Sequence, residues 1–373
     1  MPQLDSLRAL AVFGVMIEHF VPPTDAIRAA LPWGDFGVRL FFVLSGFLIS
    51  GILLRCRDQL DRSELALGAI LRAFFARRFI RLIPVYYAYL AAIAVLLPPA
   101  RHYLWVFALY LQNFLFALNP NVFHLMLAHF WTLAVEEQFY ITWPAVLLLV
   151  PRRRLPVVLS VIVVAGPLLR LAGLAIGLSP HQIRMMMPAH FDTLGLGGLL
   201  ALLQSGSEGP ESRRGRMLAA TGLWIGLPLS VVALIAGHLQ LHALDVLISE
   251  SAMGLLCTWI IFHAARGFGG IAGTVLDSKA LQYVGKISYG IYVYHFNVPG
   301  LIREKLAVRF GVVLPSSPWR RFPILVAFTL AVASLSWHWF ERPLNRLKNR
   351  FSYGPRPERA PLAELAGAPE VAG

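Results

Sequence analysis

Residues 36–54 read FGVRLFFVLSGFLISGILL, with Arg39 as the one charge. As an α-helix this stretch is about 28 Å long, close to the ~30 Å hydrocarbon core of a bilayer. A helix apolar on every side belongs in a membrane or deep inside a large core. The rest of the chain decides for the membrane, because the pattern recurs. Similar apolar runs occupy about residues 4–21, 79–97, 103–118, 130–150 and 155–178, then 191–203, 218–236, 244–262, 283–302 and 322–340. Of the 373 residues 57% are apolar and 14% charged, against ~25% charged in soluble domains. So few charges cannot cover so much apolar surface, and the excess must face lipid. A cytosolic enzyme, a disulfide scaffold and an intrinsically disordered chain are excluded.

The first run starts too near the N-terminus for a signal peptide with a basic leader, and it carries Arg8, Glu18 and His19 inside. It is expected to stay as a first transmembrane helix. Charge placement orients the rest. The net charge of +13 sits in clusters between apolar runs, which is how cytoplasmic loops are marked. If every run crossed, Arg152, Arg153 and Arg154 would fall outside and all later basic loops would invert. If instead 103–118 is re-entrant or interfacial, the stretches 55–81, 152–154, 213–216, 266–286 and the tail after Glu341 share the cytoplasmic side. The expected fold is an all-α polytopic membrane protein with about ten transmembrane helices plus that one segment, both termini cytoplasmic. Residues 1–349 form the membrane domain. The Pro-, Ala- and Glu-rich tail 350–373 is expected to be disordered and cytoplasmic. A nucleic-acid partner is excluded, since it needs a continuous basic face interleaved with readers.

Ionisable residues inside apolar helices are costly and mark candidate sites. Arg8 and His19 are about three turns apart and lie on nearly one face, ~16 Å apart along the axis. A plainer reading has Arg8 snorkelling to the inner headgroups and His19 capping the outer end. Ser45 and Gly46 interrupt the run at 36–54, either for close helix approach or for substrate contact. Arg78 and Arg81 share a face just before the next run, where they mark an inner loop or hold a phosphate-rich ligand. The sharpest anomaly is HFWTLAVEEQFYITWP at 129–144, where Glu136 and Glu137 open an apolar helix. At least one carboxylate must face protein or water. Thr132, Glu136 and Tyr140 recur every four residues and form one polar face, suited to a site or to a structural ion pair.

Metal chemistry finds no ligand set. Cys56 and Cys257 are isolated, His124 and His129 are five apart, and His238 and His242 lack a third ligand. No phosphate-binding loop, dinucleotide fingerprint or nucleophile elbow is present in the sequence.

Together these segments resemble the acyltransferase-3 family of bacterial membrane acyltransferases, over about residues 3–349. LDSLRALAVFGVMIEHF (4–20) looks like the family opening, with Arg8 and His19 as its Arg-x10-His motif. FFVLSGFLIS (41–50) carries the Ser-Gly-Phe-Leu element, and RRFIRLIPVYY (77–87) supplies the Arg-x2-Arg pair Arg78 and Arg81. FWTLAVEEQFYITWP (130–144) matches the tryptophan-to-glutamate signature, with Glu136 in the acidic position. YVGKISYGIYVYHF (283–296) and WHWFERPLNRL (337–347) match the last membrane elements, including His295.

The resemblance implies a membrane-bound O-acyltransferase of the bacterial inner membrane, residues 1–349 being its acyltransferase domain. It implies acetyl-CoA or another acyl-CoA as donor, held by Arg8, Arg78 and Arg81, and no metal. His19 is the implied general base and Glu136 its carboxylate partner, with the acceptor hydroxyl as nucleophile. Ser45, Tyr140, Asp192 and His295 are implied as substrate or structural support. The implied acceptor is a cell-envelope glycan, a glycolipid or a small secreted metabolite. One departure stands out: AHFDTLGLGGLLA (189–201) keeps Asp192 but has His190 where the family carries an Arg. The esterase-like C-terminal domain that some members append is missing, so transfer is expected to finish in the bundle or through a partner. A transporter of a glycan or small metabolite would share the helices and buried charges, and cargo flux without acyl-CoA use would identify it. A scaffolding protein would respond to substitution of His19 or Glu136 in abundance alone.

Overall fold

The computed structural model describes residues 1–354 except 97, 124–126, 207–208, 210–211, 303–308, 310 and 312–313. His124 and all but the first residues of the expected disordered tail lie outside the described residues. Within them the chain forms helices and no strand. The main elements are α1 (Pro2–Phe20), α2 (Trp33–Asp61), α3 (Leu67–Leu96), α4 (Trp131–Leu149), α5 (Leu155–Ala175), α6 (Phe191–Gln204), α7 (Arg213–His238), α8 (His242–Arg266) and α9 (Pro318–Ser336). Between α8 and α9 a short helix, Ser288–Tyr294, carries part of the 283–296 motif.

Six helical runs among the described residues are long and apolar enough to cross a bilayer: α2, α3, α7, α8, and the extended runs Arg152–Ala175 and Pro318–Arg350. The chain is a multi-pass membrane protein. Segment 103–118 is not a single helix. Tyr110, at φ 54°, separates Leu104–Ala108 from Gln112–Leu118, and neither piece is long enough to span. The segment is pinned from two sides. Tyr86 of α3 stacks on Tyr110 with centroids 4.4 Å apart, and Gln112 donates to the Phe130 carbonyl at 2.7 Å.

The basic stretches gather at one end of the bundle. Arg57 donates to the Leu148 carbonyl at the close of α4, at 2.6 Å, and Arg152 pairs with Asp58. Arg77 donates to the carbonyls of Lys348 and Phe351 at 3.0 and 3.1 Å. Gln3, at the start of α1, donates to Asp277 at 3.1 Å and accepts from the Phe268 amide at 2.7 Å. The far end of α1 belongs to the opposite surface, where Glu18 pairs with Arg28 at 2.7 Å.

α2 runs through the middle, packed between α1 and α6. A Cβ on Gly46 would meet the Leu194 carbonyl oxygen at 2.1 Å, and one on Gly197 would meet the Val43 oxygen at 2.1 Å. Paired glycines thus let the α2 and α6 backbones touch, the small-residue mode of membrane packing. Gly46 serves helix approach, while its neighbour Ser45 faces a cavity on another side of α2.

Candidate active site

α1, α2, α3, α4 and the short helix Ser288–Tyr294 surround a cavity with an empty volume of about 710 Å³, its open mouth included. The four-residue spacing read in the sequence aims Thr132, Glu136 and Tyr140 into it from α4. The Glu136 carboxylate accepts from Ser45 Oγ at 2.9 Å through one oxygen and from Tyr140 OH at 3.2 Å through the other. Glu137 is turned about 100° around the helix and makes no hydrogen bond among the described residues. Arg8, Arg78 and Arg81 line the same cavity. The Arg78 guanidinium lies over the Tyr140 ring, 5.1 Å from its centroid, and Arg8 pairs with Asp5 at 2.9 Å.

A second cavity, of about 690 Å³ empty volume, shares Arg8, Arg81 and Tyr289 with the first. It adds Lys286 and Lys348, with Glu341 and Asp5 as its acids. Lys286 sits 5.2 Å from the Trp337 ring centroid, and Glu341 accepts from Ser336 Oγ at 3.1 Å. The mouth therefore carries more cations than acids and suits a multiply charged anion, phosphate above all. Neither lysine stood out in the sequence. Each lay in a basic loop, and only the meeting of the two loops makes them part of one mouth.

At the other end of the first cavity lie three histidines. The His19 and His129 rings each stand 5.0 Å from the His295 ring, centroid to centroid. His19 closes α1 and is exposed, whereas His129 and His295 are buried. Tyr292 joins the two regions. Its hydroxyl donates to the His129 carbonyl at 2.8 Å and bonds Thr132 Oγ1 at 2.5 Å. Thr132 and Tyr292 also line the cavity, so cavity and histidine cluster share a wall.

The sequence-level pairing of His19 with Glu136 has no direct contact among the described residues. His19 Nδ1 is 3.0 Å from the Val15 carbonyl oxygen and 3.1 Å from His295 Nε2. Both Glu136 oxygens are occupied by Ser45 and Tyr140. The reason is axial position. His19 ends α1 at one surface, while Glu136 lies a full turn beyond Thr132 toward the arginines. Among the described residues no group of His, Cys, Asp and Glu is arranged to hold a metal ion.

Asp192 finds its cation on another helix. Arg170, fully buried in α5, grips it with Nη1 at 3.1 Å and Nη2 at 2.7 Å, and Ser251 donates to it at 2.5 Å. His190 has a different partner. Its Nδ1 is 3.1 Å from Glu250 and its Nε2 2.9 Å from the Arg184 carbonyl, so the ring is held at two points. Glu250 also binds buried Arg39, which reaches Asp35 at 2.5 Å. The departure at 190 therefore leaves neither acid unpaired. A lone Arg in LPVVLSVIVVAGPLLRLAGLA was the available signal for Arg170.

A helical membrane bundle with an internal cavity, cationic at one mouth and with a histidine cluster beyond the far wall, defines the class: a multi-pass membrane protein. Residues 1–338 match the acyltransferase-3 family, described as an acyltransferase domain, and the chain belongs to that family. It is 27% identical over 369 residues to a Listeria monocytogenes protein named peptidoglycan O-acetyltransferase OatA, covering 92% of this chain and 56% of that one. It is 26% identical to Bacillus subtilis YrhL, provisionally named for the same activity, covering 92% of this chain and 54% of YrhL. A Staphylococcus aureus protein provisionally named an O-acetyltransferase is 28% identical, covering 95% of this chain and 60% of the relative. The chain thus spans little more than half the length of these relatives. No solved structure matches it.

Proposed function

We propose that this protein is an O-acyltransferase that moves an acyl group, acetyl in the first instance, from acyl-coenzyme A to a hydroxyl of a cell-envelope glycan such as peptidoglycan. One observation carries the reading: a cation-rich mouth opens into a cavity whose far wall is shared with a histidine cluster. Arg8, Arg78 and Arg81 hold the donor phosphates, with Lys286 and Lys348 at the rim, and the thioester arm enters the cavity past the wall that Ser45 and Tyr140 form. Glu136 acts on this donor side by fixing those two hydroxyls. At the other end His19 takes the proton of the acceptor hydroxyl as its oxygen bonds to the thioester carbonyl carbon. The carbon–sulfur bond then breaks, and the departing sulfur recovers a proton to leave as coenzyme A thiol. Asp192 keeps α5, α6 and α8 in place through Arg170 and Ser251.

Purified protein in liposomes, given acetyl-CoA labelled in the acetyl group and muropeptide acceptors, should produce labelled ester. Unlabelled acceptor after complete mixing, with no loss of acetyl-CoA, would set the reading aside. Arg81→Lys keeps a charge but loses the planar fork that grips phosphate at two points. The expected result is a several-fold higher KM for the donor at normal abundance, and unchanged donor kinetics would move the phosphate site elsewhere.

The same reading includes ten crossings in a bacterial inner membrane, with both termini and all five basic stretches in the cytoplasm. Residues 1–349 are the acyltransferase domain. Convergence of the basic loops at one end of the bundle supports it. Single cysteines introduced at Pro156 and Gly209 should react only with membrane-permeant thiol reagents in intact cells. Labelling of Pro156→Cys by an impermeant reagent would place 152–154 outside.

A further inference from the structure

We infer that His295 is a positioning residue that sets the tautomer of His19, leaving His19 Nε2 as the unprotonated nitrogen that faces the acceptor. The inference rests on the proposed role of His19, and it follows from which atoms are able to donate. A carbonyl oxygen only accepts. His295 Nδ1 is 2.8 Å from the Tyr292 carbonyl oxygen, so in the neutral ring the proton sits on Nδ1 and Nε2 holds a lone pair. That lone pair is 3.1 Å from His19 Nδ1. The Val15 carbonyl oxygen is 3.0 Å from the same His19 nitrogen. Two acceptors converge on His19 Nδ1, which therefore carries the hydrogen and shares it between them. The proton of neutral His19 is thereby assigned, and its Nε2 is free to take another.

The surroundings hold this arrangement in place. His295 is wholly buried, whereas His19 is exposed. Phe296 packs edge-on to the His19 ring at 5.1 Å, and His129 packs against His295 at 5.0 Å. Tyr292, whose carbonyl orients His295, also forms the hydroxyl bond with Thr132 in the cavity wall. A displacement of that wall would thus reach His19 through one side chain and two hydrogen bonds. In the familiar hydrolase arrangement a buried carboxylate holds the imidazole in its working tautomer. Here a second histidine supplies the acceptor.

The resting tautomer can be read without turnover. In ¹⁵N-histidine-labelled protein in nanodiscs, the signals that vanish in His19→Ala belong to His19 and should show a protonated Nδ1 and a bare Nε2. His295→Phe keeps the ring volume but offers no acceptor. It should shift His19 to a tautomer mixture and lower kcat by roughly 10- to 100-fold, short of the ~10²–10⁴-fold carried by a complete general base. The donor KM should not change. His295→Gln, whose amide oxygen can accept from His19, should recover most of the rate. His295→Asn, too short to reach it, should not. A resting His19 protonated on Nε2, or a His295→Phe enzyme with parental kcat and parental His19 signals, would overturn the inference. Should His19→Ala retain full turnover while the resting signals stand as expected, the general-base reading fails and the tautomer assignment survives.

Discussion

His19→Ala protein, purified at parental abundance, is expected to lose acyl transfer by roughly 10²–10⁴-fold while donor binding persists. The variant removes the one exposed imidazole of the histidine cluster, at the surface opposite the cationic mouth. In the proposed reading acetyl-CoA is held at the arginine end, so its binding should stay near parental and the loss should fall on kcat. Glu136→Gln and Glu137→Gln complete the comparison. A glutamine at 136 still accepts from Ser45, but its amide nitrogen can only donate to Tyr140, so the Tyr140 hydroxyl gives up its bond to the carboxylate and must turn its hydrogen to Ser45 Oγ, 3.3 Å away. Glu137 has no hydrogen bond among the described residues to lose, so Glu137→Gln should be the milder change. Steady-state rates in detergent decide this. A near-parental His19→Ala rate would remove the general base from the proposal, and a Glu137 defect larger than the Glu136 defect would identify 137 as the working carboxylate.

Arg170→Leu is expected to destabilise the protein by about 3–5 kcal/mol, because it strands a buried carboxylate without its counter-ion. Asp192 is 1% exposed, and after the substitution its remaining donors are the Ser251 hydroxyl and the Thr193 amide. The Ala189 carbonyl, which accepts from Arg170 at 2.5 Å, loses that donor as well. Removing both charges in Arg170→Leu/Asp192→Leu should recover much of the loss, since an apolar pair avoids the unmatched charge. Thermal unfolding in detergent, followed by a buried-thiol reagent on Cys56 and Cys257, gives the readout. Parental unfolding of Arg170→Leu would mean that Asp192 is neutral or already satisfied by other groups.

The helical class, the membrane setting and most helix positions were legible in single segments. Each follows from local composition: an apolar run long enough to span must bury its backbone in helix, whatever surrounds it. The polar face Thr132, Glu136 and Tyr140 was legible for the same reason, because four-residue spacing within one helix fixes a shared side. Arg8, Arg78 and Arg81 were legible as cations near an inner loop, and the six motif segments carried the family resemblance. Partner choice was not. Glu136 takes Ser45 from α2, His19 takes His295 from near the short helix, Asp192 takes Arg170 from α5, and His190 takes Glu250 from α8. Residues separated by tens to hundreds of positions meet only after the helices are packed. Which ones meet depends on axial stagger and close approaches such as Gly46 against Leu194. The sequence by itself determined a helical membrane bundle with polar groups at particular depths. The tertiary structure decided which of those groups share a cavity, because the depth of a residue is set along its own helix while its neighbours are set by the others.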